Sequence, residues 1–310
     1  MEIIKYSKRW VGFSTALVVI SLCILFFKGF NQGIDFTGGN LYQLRFNQKV
    51  ELGQVNKYLD GLSKEFPQLN GRSRKVQISE GNNIIIRTQE MNEQEQNAFL
   101  NKLGNFEKFQ IEKTDKVGAS IGEELKSSAL LALGIGGVLI VLYITLRFEF
   151  KFAIAAIASL FHDLLIAVAV ISLLGYEINS PFIAAVLTIL GYSINDTIVV
   201  FDRIREGLKK KSDMTFGELL NRSVNQVMVR SINTSLTTLL AVIAILIFGG
   251  DSLRTFITTL LFGILAGTYS SIFLATPLVY FMEKNRDEKY EPKHDHHNED
   301  DSNRDEKILV

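Results

Sequence analysis

The chain has 310 residues, 47% of them hydrophobic, and its 33 acidic side chains balance 33 basic ones. Zero net charge excludes the strongly basic composition of many nucleic-acid-binding proteins, and the single cysteine excludes a disulfide framework. The apolar residues are concentrated in runs of about 20, the length of helix that crosses a bilayer. The composition therefore indicates a multi-pass membrane protein that contacts lipid and has no nucleic-acid partner.

Six apolar runs are predicted to cross the membrane as helices. The first follows Lys5, Lys8 and Arg9 and resembles a signal peptide, but it ends in Phe26-Phe27 and lacks a small-residue cleavage site. We interpret it as an uncleaved anchor. The predicted spans are 10–27, 127–146, 152–174, 181–201, 227–248 and 255–282.

The basic residues of the short loops predict the orientation. Loops on one side carry Lys5, Lys8, Arg9, Arg147, Lys151, Arg203, Arg205, Lys209, Lys210, Lys211 and Arg222. The opposite short loops, 175–180 and 249–254, hold only Arg254. Both termini are therefore expected in the cytoplasm, and Asp202 and Arg203 mark the cytoplasmic end of the fourth span.

The segment 31–117, expected outside the membrane, has the pattern of a small α+β domain. Alternating Tyr42, Leu44 and Phe46 predict a strand, and a helically spaced apolar stretch follows. Two strands around the turn 80–83, a polar helix and a last strand complete the pattern. The order β-α-β-β-α-β is the split βαβ, or ferredoxin-like, plan.

The remaining segments divide the chain further. Residues 1–30 are the N-terminus and first span, and residues 118–282 form the bundle of spans two to six with a cytoplasmic loop at 202–226. Thr215 and Glu218 in that loop have capping-box spacing, which predicts a short amphipathic helix. The charged, histidine-rich tail 283–310 cannot build a core, so we expect disorder there, with a weak metal site as the alternative.

Ionisable residues inside the spans are the strongest candidates for function. His162 and Asp163 lie near the centre of the third span, Asp196 lies in the fourth, and Arg230 lies about one turn inside the fifth. A charged side chain at the centre of a membrane helix costs about 2.5–3.5 kcal/mol on insertion scales. Such residues usually face a bundle interior, where they mark ion pathways.

Helical spacing predicts that Asp196 and Arg230 form a pair. The fourth span has a polar stripe of Thr188, Tyr192, Asn195, Asp196 and Arg203, and the fifth has one of Arg230, Thr234, Thr237 and Thr238. Two such stripes can face one another across neighbouring helices. A static interhelical bond, an Arg230 that snorkels to the headgroups and a His162 satisfied inside the bundle are the structural alternatives.

No motif of a nucleotide-hydrolysing, zinc-dependent or nucleophilic enzyme occurs in the sequence. We therefore expect no catalytic residue, metal ligand or cofactor, and the protein is not expected to be an enzyme. Any work that it performs must draw on another source of energy.

Several motifs in chain order resemble those of the SecF proteins, members of the SecD/SecF family. They are Gly33 to Gly39 (G-I-D-F-T-G-G), Phe161-His162-Asp163, Gly191 to Thr197 (G-Y-S-I-N-D-T) with Phe201 to Glu206, and Arg230 to Ser235 (R-S-I-N-T-S). The resemblance covers about residues 1–282. It implies half of a resistance-nodulation-division (RND) transporter, with Asp196 and Arg230 tied to proton passage.

The resemblance also implies a cellular role. SecF proteins pair with SecD, associate with the SecYEG channel and with YajC, and use the proton motive force to promote export of preproteins across the bacterial inner membrane. Asp35, Gly38 and Gly39 would form the junction between the first span and the outer domain, and a simple glycine turn is the local alternative. Coupling to sodium, a structural subunit without ion conduction, and an RND-type transporter of lipids or small molecules stay open.

Overall fold

The computed structural model describes residues 1–71, 73–78, 82–210, 214–250 and 253–283. In chain order the helices are α1 (Ser7–Lys28), α2 (Ile34–Thr37), α3 (Leu52–Leu62), α4 (Glu93–Leu103), α5 (Ala119–Arg147), α6 (Phe150–Leu174), α7 (Ser180–Leu208), α8 (Phe216–Phe248), α9 (Arg254–Ser270) and α10 (Thr276–Met282). The strands are β1 (Asn31–Gln32), β2 (Gly39–Phe46), β3 (Lys75–Ile78), β4 (Asn83–Thr88), β5 (Phe109–Val117) and β6 (Glu177–Ile178).

Six helical segments within these ranges are long and apolar enough to cross a membrane. Five are α1 with the short turn before it, α5, α6, α7 and α8. The sixth, which we call the last span, runs from Arg254 to Met282 through α9, the π-helical turn Ser271–Ala275 and α10. Each of the six predicted spans lies inside one of these segments. The protein is therefore a multi-pass membrane protein.

The interior of the bundle is formed by α6, α7 and the last span. In their most apolar stretches 50%, 50% and 67% of the residues are buried, against 11%, 6% and 17% in α1, α5 and α8. Two glycines bring the last span close to α7. A Cβ on Gly263 would lie 2.2 Å from Ile189, and one on Gly267 would lie 3.0 Å from Ser193. Small residues at these positions let the two backbones approach.

The segment between α1 and α5 folds into a small domain with the predicted element order. Its antiparallel sheet has strand order β3-β4-β2-β5, and α3 and α4 pack against one face. Leu44 lies opposite Ile84 and Ile111, so alternate side chains of β2 enter the core. That core contains Tyr42, Leu44, Phe46, Val55, Leu59, Phe99 and Leu103. Residues 79–81 of the predicted turn lie outside the described residues.

The predicted short amphipathic helix is wrong, because its residues are the first turns of α8. Thr215 and Glu218 do form the capping box, with each side chain bonded to the other residue's backbone N–H. The helix then continues without a break to Phe248. It continues because no proline follows the cap and because Phe216 and Leu220 are fully buried in the core of the bundle.

The two ends of the described chain lie together, at the end of the bundle opposite the small domain. The amino group of Met1 donates to Asn225 Oδ1 at 2.9 Å, and Lys151 Nζ lies 3.0 Å from Glu283 Oε1. We call this the termini end. Apart from Glu283, the tail that the sequence predicts to be disordered lies outside the described residues.

Candidate functional site

Asp163 lies fully buried on α6 at the centre of the bundle. One carboxylate oxygen, Oδ2, accepts hydrogen bonds from Ser193 Oγ of α7 at 2.6 Å and from Ser270 Oγ of α9 at 2.7 Å. The other oxygen lies 2.9 Å from His162 Nδ1. A buried carboxyl group needs such partners, since water is not there to solvate it. Asp163 therefore joins the three interior helices.

His162 is buried beside this carboxyl group and is 1% exposed. Its Nδ1 faces Asp163, whereas its Nε2 has no hydrogen-bond partner in the part of the chain that the structure describes. The imidazole packs against the Tyr269 ring, with 6.0 Å between the ring centroids. The Tyr269 hydroxyl in turn lies 3.0 Å from Ser14 Oγ of α1. The histidine and aspartate of the third span thus form a single buried site, as a pair.

Asp196 lies half-buried on α7 and faces the last span. Its Oδ2 accepts a hydrogen bond from Ser271 Oγ at 2.9 Å. Ser271 is the first residue of the π-helical turn, and π-helical turns interrupt the regular hydrogen-bond ladder and are frequent at functional sites. The carboxyl group is thus bonded to the least regular part of the helix that packs against it.

The predicted pair of Asp196 and Arg230 is not formed among the described residues. Arg230 is exposed on α8, while Asp196 turns toward the last span. Tyr192 fills the space between α7 and α8, where its hydroxyl contacts Thr234 O and Thr238 Oγ1, both at 3.2 Å. This side chain holds the two helices together and leaves Arg230 on the outer surface.

Two neighbouring stripes of exposed residues, which we call the open polar face, run along α7 and α8. The stripe on α7 contains Thr188, Gly191 and Asn195, and the stripe on α8 contains Arg230, Asn233, Thr234 and Thr237. Asn195 and Arg230, both predicted site residues, therefore lie on this surface. The fully buried carboxyl group of Asp163 and the half-buried carboxyl group of Asp196 bind serines of the last span instead.

Asp35, in the predicted signature, contacts the start of α7. Its Oδ2 accepts a hydrogen bond from the backbone N–H of Ser180 at 2.8 Å, and a carboxylate is favoured at the N-terminus of a helix. Gly38 and Gly39 have positive φ angles of 69° and 117°. A Cβ on Gly39 would lie 2.2 Å from Thr88 O, so this position requires glycine. The contact with α7 was not expected from the sequence.

Asp202 and Arg203 lie toward the termini end of α7, where they bind neighbouring helices. Arg147 Nη2 of α5 donates to both oxygens of Asp202, at 2.9 and 3.0 Å. Arg203 Nε donates to Gln226 Oε1 of α8 at 2.7 Å. Both residues therefore hold helices together, separate from the buried site.

Sequence reasoning missed the serines that contact the two carboxyl groups. Ser193 lies inside a motif that the sequence singled out, but Ser270 and Ser271 lie in the last span, outside every motif. The only signal was two adjacent hydroxyl groups within an apolar run. Serines in membrane helices often bond to their own backbone, so that signal alone does not identify a site.

The bundle, the small domain inserted after the first helix and the two embedded carboxyl groups define an RND-like membrane protein. Residues 97–285 match the family model described as protein export membrane protein SecD/SecF, C-terminal, and residues 24–50 match the SecD/SecF GG motif. The chain is 47% identical over 289 residues to protein translocase subunit SecF of Sebaldella termitidis, which covers 92% of each chain.

Longer relatives carry the same region. Protein translocase subunit SecDF of Thermus thermophilus is 39% identical over 281 residues, which are 90% of this chain and 38% of the relative. The crystal structure of SecDF from Thermus thermophilus, titled a translocon-associated membrane protein, superposes with a TM-score of 0.83 at 37% identity. The match covers 92% of this chain and 39% of that one. The chain belongs to the SecF family of protein translocase subunits, as its motifs predict.

Proposed function

We propose that this SecF-family chain acts with a SecD partner at the SecYEG channel and uses the proton motive force to promote export of unfolded preproteins. The single observation that carries the proposal is the Asp196 carboxyl group, half-buried in a membrane bundle and bonded to an irregular turn of the neighbouring helix. Ionisable residues at such positions mark ion pathways. YajC is a further partner of the proposed complex.

The proposed location is the bacterial inner membrane, with both termini in the cytoplasm and residues 31–117 outside. The basic residues of the short loops support this orientation, since the termini end carries nearly all of them. The orientation places the small domain where an exported chain emerges. In this orientation the small domain faces the side of the membrane with the lower pH, and the termini face the side with the higher pH.

The open polar face supports a SecD partner. An exposed Arg230 and a row of polar side chains would face lipid if the chain worked alone, where charged side chains are unfavourable. The SecDF relatives are more than twice as long as the matched region, so they supply a second part from the same chain. We propose that SecD supplies that part here and covers the open polar face.

The proposed mechanism begins with a proton on Asp196. The ionised carboxyl group accepts a hydrogen bond from Ser271, whereas the protonated group also carries a donor, and this changes how the π-helical turn packs. Asp163, fixed by Ser193 and Ser270, is the pivot that holds the three interior helices together. One charge that crosses 100 mV is worth about 2.3 kcal/mol, enough to bias a bundle with two arrangements.

The test is Asp196→Asn in membrane vesicles that contain the complete translocase, with ATP held constant. We expect gradient-dependent release of an exported substrate to be lost and ATP-dependent insertion to be retained. Asp202→Asn is the matched control, because it makes the same change on the same helix at a residue that only holds helices together. If the Asp196→Asn protein releases substrate as the parent does, the proposed coupling is wrong.

The same experiment separates the alternatives. A structural subunit without ion conduction would keep gradient-dependent release in Asp196→Asn and would at most lose abundance of the complex. An RND-type transporter of lipids would need a large apolar cavity near the small domain. Two cavities there, of about 430 and 1050 Å³, are lined largely by polar side chains, including Glu177 in the first and Arg45 and Glu112 in the second. That lining favours the export role.

A further inference from the structure

The short segment between α6 and α7, residues 175–180, is hydrogen-bonded to residues 31–33, which lead from α1 into the small domain. We call it the α6–α7 joint. Its strand β6 pairs in parallel with β1, with Asn31 opposite Glu177 and Gln32 opposite Ile178. The N–H of Gly33 donates to Ile178 O at 2.9 Å, and Asn31 Nδ2 donates to Gly175 O at 3.0 Å. The joint is thus fixed to the chain that leads into the small domain.

An ion pair connects the same joint directly to the sheet of the small domain. Arg87 of β4 pairs with Glu177 of the joint, and their side chains are only 7% and 15% exposed. Arg87 Nη2 also donates to Gln77 Oε1 at 3.3 Å, and Arg87 Nη1 donates to Asn31 Oδ1 at 3.4 Å. Removing either partner of a buried pair leaves the other charge uncompensated, so the loss of one partner is costly.

The joint leads straight into the helix that carries Asp196. Asp35 caps that helix through the N–H of Ser180, and Asn179 Oδ1 accepts from the N–H of Phe182 at 3.0 Å. Asp196 lies sixteen residues further along the same helix, or about 24 Å at 1.5 Å per residue. A continuous helix moves as a unit, so a displacement at Asp196 reaches the joint.

We propose that Arg87 and Glu177 form a clasp that transmits movement of α7 to the small domain. Arg87 and Glu177 are positioning residues, because they contact neither the ion nor the exported chain. The inference rests on the proposed function and extends it by naming the contact through which the embedded carboxyl group acts on the small domain. The β1–β6 pairing is separate from the four-stranded sheet of the small domain. The clasp contacts that sheet directly, because Arg87 lies on its strand β4.

The test is Arg87→Met in vesicles with the complete translocase. We expect gradient-dependent release to fall by about fivefold or more, the lower end of typical coupling between sites, while ATP-dependent insertion is unchanged. Hydrogen exchange at residues 31–33 and 177–178 should become faster, a readout that does not depend on activity. Arg45→Met is the matched control, because Arg45 lies in the same sheet and pairs with Glu112 of the small domain itself.

The exchanged variant, Arg87→Glu with Glu177→Arg, should restore both gradient-dependent release and the slow hydrogen exchange at residues 31–33 and 177–178. The surroundings suit it, since Lys75 lies opposite position 87 in the sheet and Asp35 lies near position 177. A clasp is ruled out if Arg87→Met keeps gradient-dependent release, if Arg45→Met is equally harmful, or if the exchange restores neither readout.

Asp196→Asn, measured in parallel, separates the two proposals. If Asp196→Asn abolishes gradient-dependent release while Arg87→Met does not, the clasp alone is wrong. If neither variant changes release, the proposed function itself is wrong.

Discussion

Ser270 and Ser271 are consecutive residues whose hydroxyl groups bond to different carboxyl groups. Ser270 Oγ donates to Asp163 at 2.7 Å, and Ser271 Oγ donates to Asp196 at 2.9 Å. Consecutive side chains on a helix point about 100° apart, so the last span touches α6 and α7 at one level. A change at Asp196 is therefore transmitted to a backbone segment that Asp163 also holds.

Replacing Ser271 by alanine should weaken the coupling of Asp196 to the last span. A hydrogen bond to a charged group is worth about 1.5–3 kcal/mol, so gradient-dependent release should fall by roughly tenfold or more. The dependence of release on pH should also change, which a purely structural role of Ser271 would not cause. Ser271→Thr keeps the hydroxyl group and should restore the parent profile.

The matched control for Ser271 is Ser231→Ala. Ser231 is also a buried serine of a membrane helix, but its hydroxyl has no hydrogen-bond partner within the described ranges. Its removal should leave release and pH dependence unchanged. Equal pH profiles for Ser271→Ala and the parent would contradict the role given to Ser271.

Replacing Asp163 by alanine should destabilise the bundle. The change removes the acceptor of the Ser193 and Ser270 hydroxyl groups; Ser270 keeps a bond to Gly267 O at 3.3 Å, whereas Ser193 becomes a stranded buried donor, which costs about 1–3 kcal/mol. The midpoint of thermal unfolding in detergent should therefore fall clearly. Thr188→Ala, an exposed change on α7, should leave it nearly unchanged. An unaltered midpoint for Asp163→Ala would show that this carboxyl group is not the pivot.

Docking of the small domain should depend on pH through Glu177. Burial raises the pKa of the Glu177 carboxyl group above its ordinary value, and nearby Asp35 adds to this, whereas Arg87 and Lys113 act against it. Asp115 and Arg254 line the same cavity. Glu177 binds its proton more tightly when it is buried between the small domain and the α6–α7 joint than when it is solvated. The contact between the small domain and the joint is therefore favoured at low pH. This contribution is lost as the pH rises through the raised pKa of Glu177.

Hydrogen exchange at the β1–β6 pairing should therefore be slowest in acid and become faster as the pH rises above the ordinary range of a glutamate. Rates are compared after correction for the intrinsic pH dependence of exchange. Glu177→Gln cannot ionise, so its corrected rates should not vary with pH. A variant that responds to pH as the parent does would exclude Glu177 as the titrating group.

The spans and the small domain could be predicted from the sequence because their signals are local. Apolar runs predicted the six membrane helices found in the described ranges, and the alternation of Tyr42, Leu44 and Phe46 predicted the central strand. The surface that the Arg230 side chain faces was not predictable. A polar stripe shows which residues share one face of a helix, but it does not show which neighbouring helix that face contacts. The contacts of Ser271 and Glu177 join residues far apart in the chain, and no spacing rule reports them.

Arg230 should matter in the complex and not in the isolated chain. It is exposed on the open polar face, so Arg230→Met should change the stability of the purified chain by no more than about 0.5 kcal/mol, as surface substitutions usually do. With a SecD partner in place, the same charge becomes buried between two bundles, and its loss should reduce both co-purification of SecD and gradient-dependent release. Arg222→Met, an exposed arginine on the same helix, is the control and should affect neither. A purified Arg230→Met chain that is clearly destabilised would place this arginine inside the chain's own bundle and remove the reason for assigning it to the interface.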